Sequence, residues 1–159
     1  MSDSARSGSG DARGRISGDA HLMPVRVYWE DTDAGAIVYY ANYLKFTERA
    51  RSDMLRVLGV DQRAMMEQDS GAMFAVRDVT ASYLAPARLD DDLVVETRLT
   101  EMKGATLSLS QNVMRQDEML VQTQVRAAFI GLDGRPRRIP ALVRDRLTAL
   151  TTRGGEEKQ

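Results

Sequence analysis

Residues 42–58, NYLKFTERARSDMLRVL, set Tyr43, Phe46, Thr47, Ala50, Met54, Val57 and Leu58 at spacings of three and four. That spacing gathers the apolar side chains on one broad face of an α-helix. Lys45, Glu48, Arg49, Ser52 and Arg56 fall on the other side, where they read as solvated or ion-paired, with Glu48 in reach of Arg51 or Ser52. Asn42 is the expected N-cap. Gly59 is the expected stop, because glycine accepts the left-handed backbone that ends a helix. A shorter helix is expected over 61–68.

On both sides of this helix the hydrophobic period changes to two. Residues 23–30, MPVRVYWE, alternate Val25, Val27 and Trp29 against Arg26, Tyr28 and Glu30, the pattern of a strand. Downstream, 74–84, 93–102, 105–116 and 119–132 read the same way, and 140–150 reads as a helix. Lys103-Gly104 and Asp117-Glu118 are short turns, so these strands are expected to form a four-stranded antiparallel meander. A sheet with one apolar face needs a cover, and the long helix supplies it. The expected fold class is α+β, a curved antiparallel sheet around one long helix. The domain is expected over 22–150. Residues 1–21, rich in Ser, Gly, Asp and Arg, read as a disordered tail and 151–159 as a frayed one.

Composition removes most chemistries. The 159 residues fit one domain, and 22 basic against 23 acidic side chains give no electrostatic case for nucleic acid or an anionic membrane. No apolar run approaches the ~18 residues of a membrane span, and the N-terminal residues carry no apolar signal core. The expected compartment is the cytoplasm. There is no cysteine, which excludes thiolate nucleophiles and zinc–thiolate sites. The single histidine, His21, falls at the edge of the polar tail and reads as solvated, so one chain holds neither a Ser-His-Asp triad nor a multi-histidine metal site. Carboxylates, tyrosines, lysines and backbone dipoles are left to do any chemistry.

These meet between the first strand and the long helix. Asp31-Thr32-Asp33-Ala34-Gly35 is a turn-rich connection. A carboxylate there can orient a water, take its proton, or attack a carbonyl to give a mixed anhydride. A few residues on, the helix N-terminus presents amides without intrahelical partners and about half a positive charge. Amides from about Val38 to Asn42 suit an oxyanion forming on a thioester carbonyl. The same aspartate also fits an ordinary structural turn, in which it would only satisfy backbone donors.

The run VYWEDTDAGAIVYYANYLKFTERAR, residues 27–51, resembles the signature of the Tol–Pal-associated, YbgC-type acyl-CoA thioesterases, relatives of the 4-hydroxybenzoyl-CoA thioesterases in the hotdog superfamily. The similarity continues through Tyr83-Leu84-Ala85-Pro86-Ala87-Arg88-Leu89-Asp90-Asp91 and Lys103-Gly104-Ala105-Thr106-Leu107 to Pro136-Arg137-Arg138-Ile139-Pro140, and covers about residues 23–147. The resemblance implies a hotdog fold, homodimers or homotetramers with sites at subunit interfaces, and hydrolysis of an acyl-CoA or acyl-carrier-protein thioester without a metal or other cofactor. It implies Asp33 as nucleophile or general base, the Tyr40 backbone amide as carbonyl donor, and Asn42 as a residue that holds the loop.

Val38, Tyr39 and Trp29 are the expected substrate walls, and Arg88, Lys103, Arg137 and Arg138 the expected partners for the CoA phosphates. Tyr39 and Tyr40 suit an acyl or aromatic pocket equally well as ordinary packing, and Tyr43 reads as core. Many relatives carry His at the position of Tyr40, and a tyrosine of pKa near 10 cannot shuttle protons at pH 7 as imidazole does. Trp29 stands for a frequent Tyr, and Ala36 for a frequent Gly, so position 36 is expected not to need a positive φ. A second reading from a different class is a non-catalytic acyl-binding or scaffold protein linked to phospholipid synthesis or the cell envelope.

Overall fold

The computed structural model describes residues 13–68 and 71–157. Its elements are β1 (Arg15–Ser17), β2 (Ala20–Arg26), α1 (Asn42–Val57), α2 (Gln62–Gln68), β3 (Met73–Tyr83), β4 (Asp92–Lys103), β5 (Thr106–Arg115), β6 (Glu118–Ile130) and α3 (Ala141–Glu157). One antiparallel sheet runs in the order β1-β2-β4-β5-β6-β3. No helix among the described residues is long and apolar enough to cross a membrane.

The expected four-stranded meander is a meander of three, β4 to β6. β3 pairs with β6, from Met73↔Ile130 to Tyr83↔Val121, and so lies at the far edge. Period-two alternation identifies a strand but not its neighbour. Residues 84–91 are too long for a tight hairpin, and they carry the chain across the end of the sheet to β4.

Two tail boundaries also move. The stretch read as disordered is paired from Arg15, with Ala20, His21 and Leu22 facing Arg98, Thr97 and Glu96 of β4. Ile16 packs against the core, and His21 is fully buried with Nε2 at 2.7 Å from Asp53 Oδ2. A polar composition hid a strand that tertiary partners hold in place. At the other end, α3 continues to Glu157, through most of the stretch read as frayed. The remainder of each proposed tail, 1–12 and 158–159, lies outside the described residues.

The strand expected to reach residue 30 ends at Arg26, and Trp29–Asp31 form a 3-10 turn. Asp31 Oδ2 accepts the Tyr28 N–H at 2.9 Å, which folds the chain out of the sheet, and Trp29 is 70% exposed. α1 buries Tyr43, Phe46, Thr47, Ala50, Met54 and Leu55, while Val57 is left 39% exposed. Gly59 follows it with φ +85°, the left-handed stop expected there.

The core under α1 is divided. One apolar cluster joins Tyr43, Phe46 and Ala50 to Val27, Val38, Leu93, Val95, Val113 and Val121. The other joins Met54 and Leu55 to Leu107, Leu109, Val125, Phe129 and α3 residues Val143, Leu147 and Leu150. Between them, Thr97, Gln111 and Thr123 form one row across β4, β5 and β6, each almost fully buried. The first cluster carries the loop and helix start where the chemistry is expected.

Candidate active site

Residues 31–39 fold back as a short hairpin. Thr32 bridges Val38, Asp33 N–H donates to Ile37 O at 3.0 Å, and Tyr39 N–H donates to Asp31 O at 3.1 Å. Its tip closes through Ala36 N–H to Asp33 O at 3.0 Å, with Ala36 at φ +61°. Position 36 therefore does need a positive φ, against expectation, and an alanine there costs about 1–2 kcal/mol. The surroundings impose it: Ala36 O accepts the Leu89 N–H, and Ile37 bridges Arg88 on the turn before β4.

Asp33 stands at the exposed side of this hairpin. Its Oδ1 accepts the Gly35 N–H at 2.8 Å, and its other oxygen has no partner among the described residues. The amides on the opposite arm are mostly engaged. Val38 N–H donates to Ala87 O at 2.9 Å, Tyr39 N–H to Asp31 O, and Asn42 N–H to Tyr39 O at 2.8 Å. The Tyr40 amide has no acceptor among the described residues. It lies just before the first turn of α1, where the helix concentrates partial positive charge.

The support beneath this amide is built from three residues. Asn42 does not cap the helix as expected, since the cap position is Ala41 and no side chain closes it. Asn42 Nδ2 instead donates to Asp31 O at 2.9 Å, tying the helix to the hairpin. Tyr43 is buried, and its hydroxyl accepts the Ala87 N–H at 2.9 Å while the Ala87 carbonyl holds Val38. Burial pushes the Tyr43 phenol up, although the Ala87 hydrogen bond pulls the other way. Tyr43→Phe is expected to leave that N–H unpaired and to destabilise the fold by about 1–3 kcal/mol, which chemical denaturation checks. On the same turn, Asp91 accepts the Arg88 N–H at 2.8 Å and Arg115 Nη1 at 2.7 Å. Burial opposes ionisation of Asp91, but those two donors hold its carboxyl below the ordinary value.

Tyr39 and Tyr40 are about half exposed, with ring centroids 4.9 Å apart and planes tilted by 50°, and Tyr40 meets the edge of Tyr83 at 5.9 Å. The Tyr40 hydroxyl beside it raises the Tyr39 phenol above its ordinary value. Tyr83 also packs on Tyr43 at 5.7 Å, so an aromatic ledge runs from the core to the surface beside the Tyr40 amide. Sequence reasoning missed Tyr83, because only the β3–β6 pairing brings it here. Its signals were its position at a strand end and its place at the start of the Tyr83–Asp91 run that resembles the family.

Arg88 is part of this region through Ile37, and Val38 is buried beneath it. Lys103, Arg137 and Arg138 are not. Lys103 ends the β4 strand that begins at Asp92, roughly 35 Å away at ~3.4 Å per residue. Arg137 and Ile139 hydrogen-bond Phe129 and Gly104 at that same far end. His21 does not approach either, because its partner Asp53 lies more than three turns along α1 from Tyr40. A cleft of about 470 Å³ runs along α1 from Leu44 to Leu55, with Phe74 and Val76 of β3 in its wall, and Asp33 is not in its lining. Arg51, read as an ion-pair partner of Glu48, instead donates to Gln111 Oε1 at 2.9 Å. Among the described residues no group of three His, Cys, Asp or Glu is placed to hold a metal.

Comparison with known proteins places the chain in a family. Residues 35–122 match the model of the thioesterase superfamily. The chain is 47% identical over 110 residues to the acyl-CoA thioesterase YbgC of Haemophilus influenzae, covering 69% of this chain and 80% of that one. It is 43% identical over 119 residues to the acyl-CoA thioester hydrolase YbgC of Escherichia coli, covering 74% and 87%. The crystal structure of a probable thioesterase from Bartonella henselae superposes with a TM-score of 0.73 at 35% identity, over 76% of this chain and 99% of that one.

Proposed function

The chain belongs to the thioesterase superfamily and is an acyl-CoA thioester hydrolase with the hotdog fold, and we propose that it works through the Asp33 carboxylate and the Tyr40 amide. One observation supports this assignment above the rest: a hairpin with an exposed carboxylate runs directly into an uncommitted amide at the start of α1. The thioester carbonyl oxygen accepts the Tyr40 N–H, and the α1 N-terminus stabilises the charge that develops on it. Asp33 then either attacks the carbonyl carbon, expelling CoA thiolate and leaving an anhydride that water opens, or takes the proton of the water that attacks. Either route releases free acid and CoA thiol. Neither needs a metal or redox group, since CoA enters as part of the substrate. The cytoplasm is where an acyl-CoA substrate is made.

In one chain this site is open to solvent, and a second copy is the proposed closure. β3 is an eleven-residue edge strand carrying exposed Met73, Val76, Val79 and Tyr83, an association-prone edge. Antiparallel pairing of two such edges sets the far end of one subunit beside the Asp33 end of the other. Lys103, Arg137 and Arg138 of a second copy would then approach the CoA phosphates, which no single chain allows. Sedimentation equilibrium that finds only monomer at micromolar concentration contradicts this arrangement.

Thiol release measured across acyl-CoA and acyl-carrier-protein substrates of graded chain length tests the activity. A saturable rate on at least one carrier is expected. Background rates on all, with saturable acyl-CoA binding, would restore the scaffold reading.

A further inference from the structure

The polar row between the two apolar clusters has no part in the hydrolysis described above. Gln111 is fully buried, and its amide nitrogen donates to Thr47 O at 2.9 Å and to Thr97 Oγ1 at 3.0 Å. With both hydrogens committed, its carbonyl oxygen has one direction left, toward Arg51 Nη1 at 2.9 Å. A flipped amide would set NH₂ against the guanidinium, donor against donor. Gln111 therefore fixes the position of Arg51.

Arg51 is half-buried and held by neutral acceptors, with Thr47 Oγ1 as the second at 3.4 Å. No carboxylate pairs with it among the described residues. A guanidinium has five N–H donors, and the bonds described use Nη1 alone. Burial pulls Arg51 below the ordinary arginine value, and the charge of Glu48, one turn earlier, pulls it back. Arg51 and Glu48 both line the cleft of about 470 Å³, among Leu44, Leu55, Phe74 and Leu107. A charged donor and a charged acceptor thus stand one turn apart on a mostly apolar wall, whose other polar side chains are Ser52 and Gln62.

The occupant follows from what each candidate chemistry would suffer there. A plain alkyl end takes the remaining water from half-buried Arg51, crowds the exposed Glu48 carboxylate and returns no hydrogen bond to either. A carboxylate suits Arg51 but faces the like charge of Glu48. A hydroxyl accepts from Arg51 and donates to Glu48, satisfying both. From the Tyr40 amide to Glu48 and Arg51 is eight to eleven residues, about 12–16 Å along the helix axis, and both side chains lean back toward the N-terminus. That span suits a medium-length chain. We propose that the cleft selects acyl groups carrying a hydroxyl remote from the thioester, with Arg51 donating to its oxygen and Glu48 accepting its proton. The inference rests on the hydrolase reading and names the substrate class of that activity.

Thiol release from decanoyl-CoA, ω-hydroxydecanoyl-CoA and the ω-carboxy analogue of equal length tests it, on the native protein, Glu48→Ala and Arg51→Lys. Native kcat/KM is expected to favour the hydroxy substrate over decanoyl-CoA at least about tenfold, since a site built to bond a hydroxyl rejects the analogue lacking it. The ratio is expected to fall below about threefold in Glu48→Ala, whose exposed position keeps folding out of the result, and to fall in Arg51→Lys, which loses the planar fork. Equal or better turnover of decanoyl-CoA by the native protein, a preference for the carboxy analogue, or an unchanged ratio in Glu48→Ala overturns the inference alone. Background rates on all three overturn the hydrolase reading and this inference with it.

Discussion

Asp33→Asn is expected to lower kcat at least about a hundredfold, some 2.7 kcal/mol of barrier, while KM changes by less than about threefold. The substitution is nearly silent structurally. Asp33 is exposed, and the one bond its side chain makes, accepting the Gly35 N–H, is one that an asparagine carbonyl can also make. The hairpin should therefore close as before, and the Tyr40 amide keep its place. What is lost is the negative charge and the lone pair able to attack or to take a proton. Steady-state kinetics beside a thermal melt separates the two effects: kcat falls and Tm does not. A fall in Tm of the kind a broken turn produces would assign Asp33 to structure instead.

Gln111→Leu is expected to cost about 3–5 kcal/mol of stability, the scale of breaking a half-buried charged network by removing one member. Leucine fills similar volume, so the loss is not a cavity. It strips the main acceptor from Arg51, a donor from the Thr47 carbonyl and another from the Thr97 hydroxyl in one step. Each of these groups is wholly or partly shielded from the water that would replace the bond. Urea denaturation followed by far-UV circular dichroism reads the change, with the midpoint falling and the slope unchanged.

The parts of this fold that were legible in the sequence are those set by local period. Residues 42–58 could bury Phe46 and Met54 only as a helix, and Leu93, Val95 and Thr97 could share a face only in a strand. What sequence missed depends on partners far along the chain. His21 looked solvated because the long stretch before it is polar, but Asp53 and the β4 pairing bury it. β3 looked like the start of a meander because its own pattern says nothing of β6. Trp29 fell in step with Val25 and Val27, yet the Asp31 carboxylate had already turned the chain.

The candidate site divides the same way. Asp33, Tyr40 and Asn42 sit within ten residues of one another, and the resemblance of that run to a thioesterase signature picked them out. Tyr83 and the Arg51–Gln111 pair come from separate elements and converge only on folding. Ala36 shows the limit of reading residue type as conformation. Its positive φ is imposed by Leu89 and by the bridge from Ile37 to Arg88, and Arg88 and Leu89 lie some fifty residues along the chain.

A crystal structure with a non-hydrolysable ketone analogue of a good acyl-CoA substrate measures the decisive distance. The ketone oxygen should lie about 2.7–3.1 Å from the Tyr40 amide nitrogen, with an Asp33 oxygen, or a water it holds, facing the carbonyl carbon. A ketone seated elsewhere, with the Tyr40 amide still unpaired, would contradict the account.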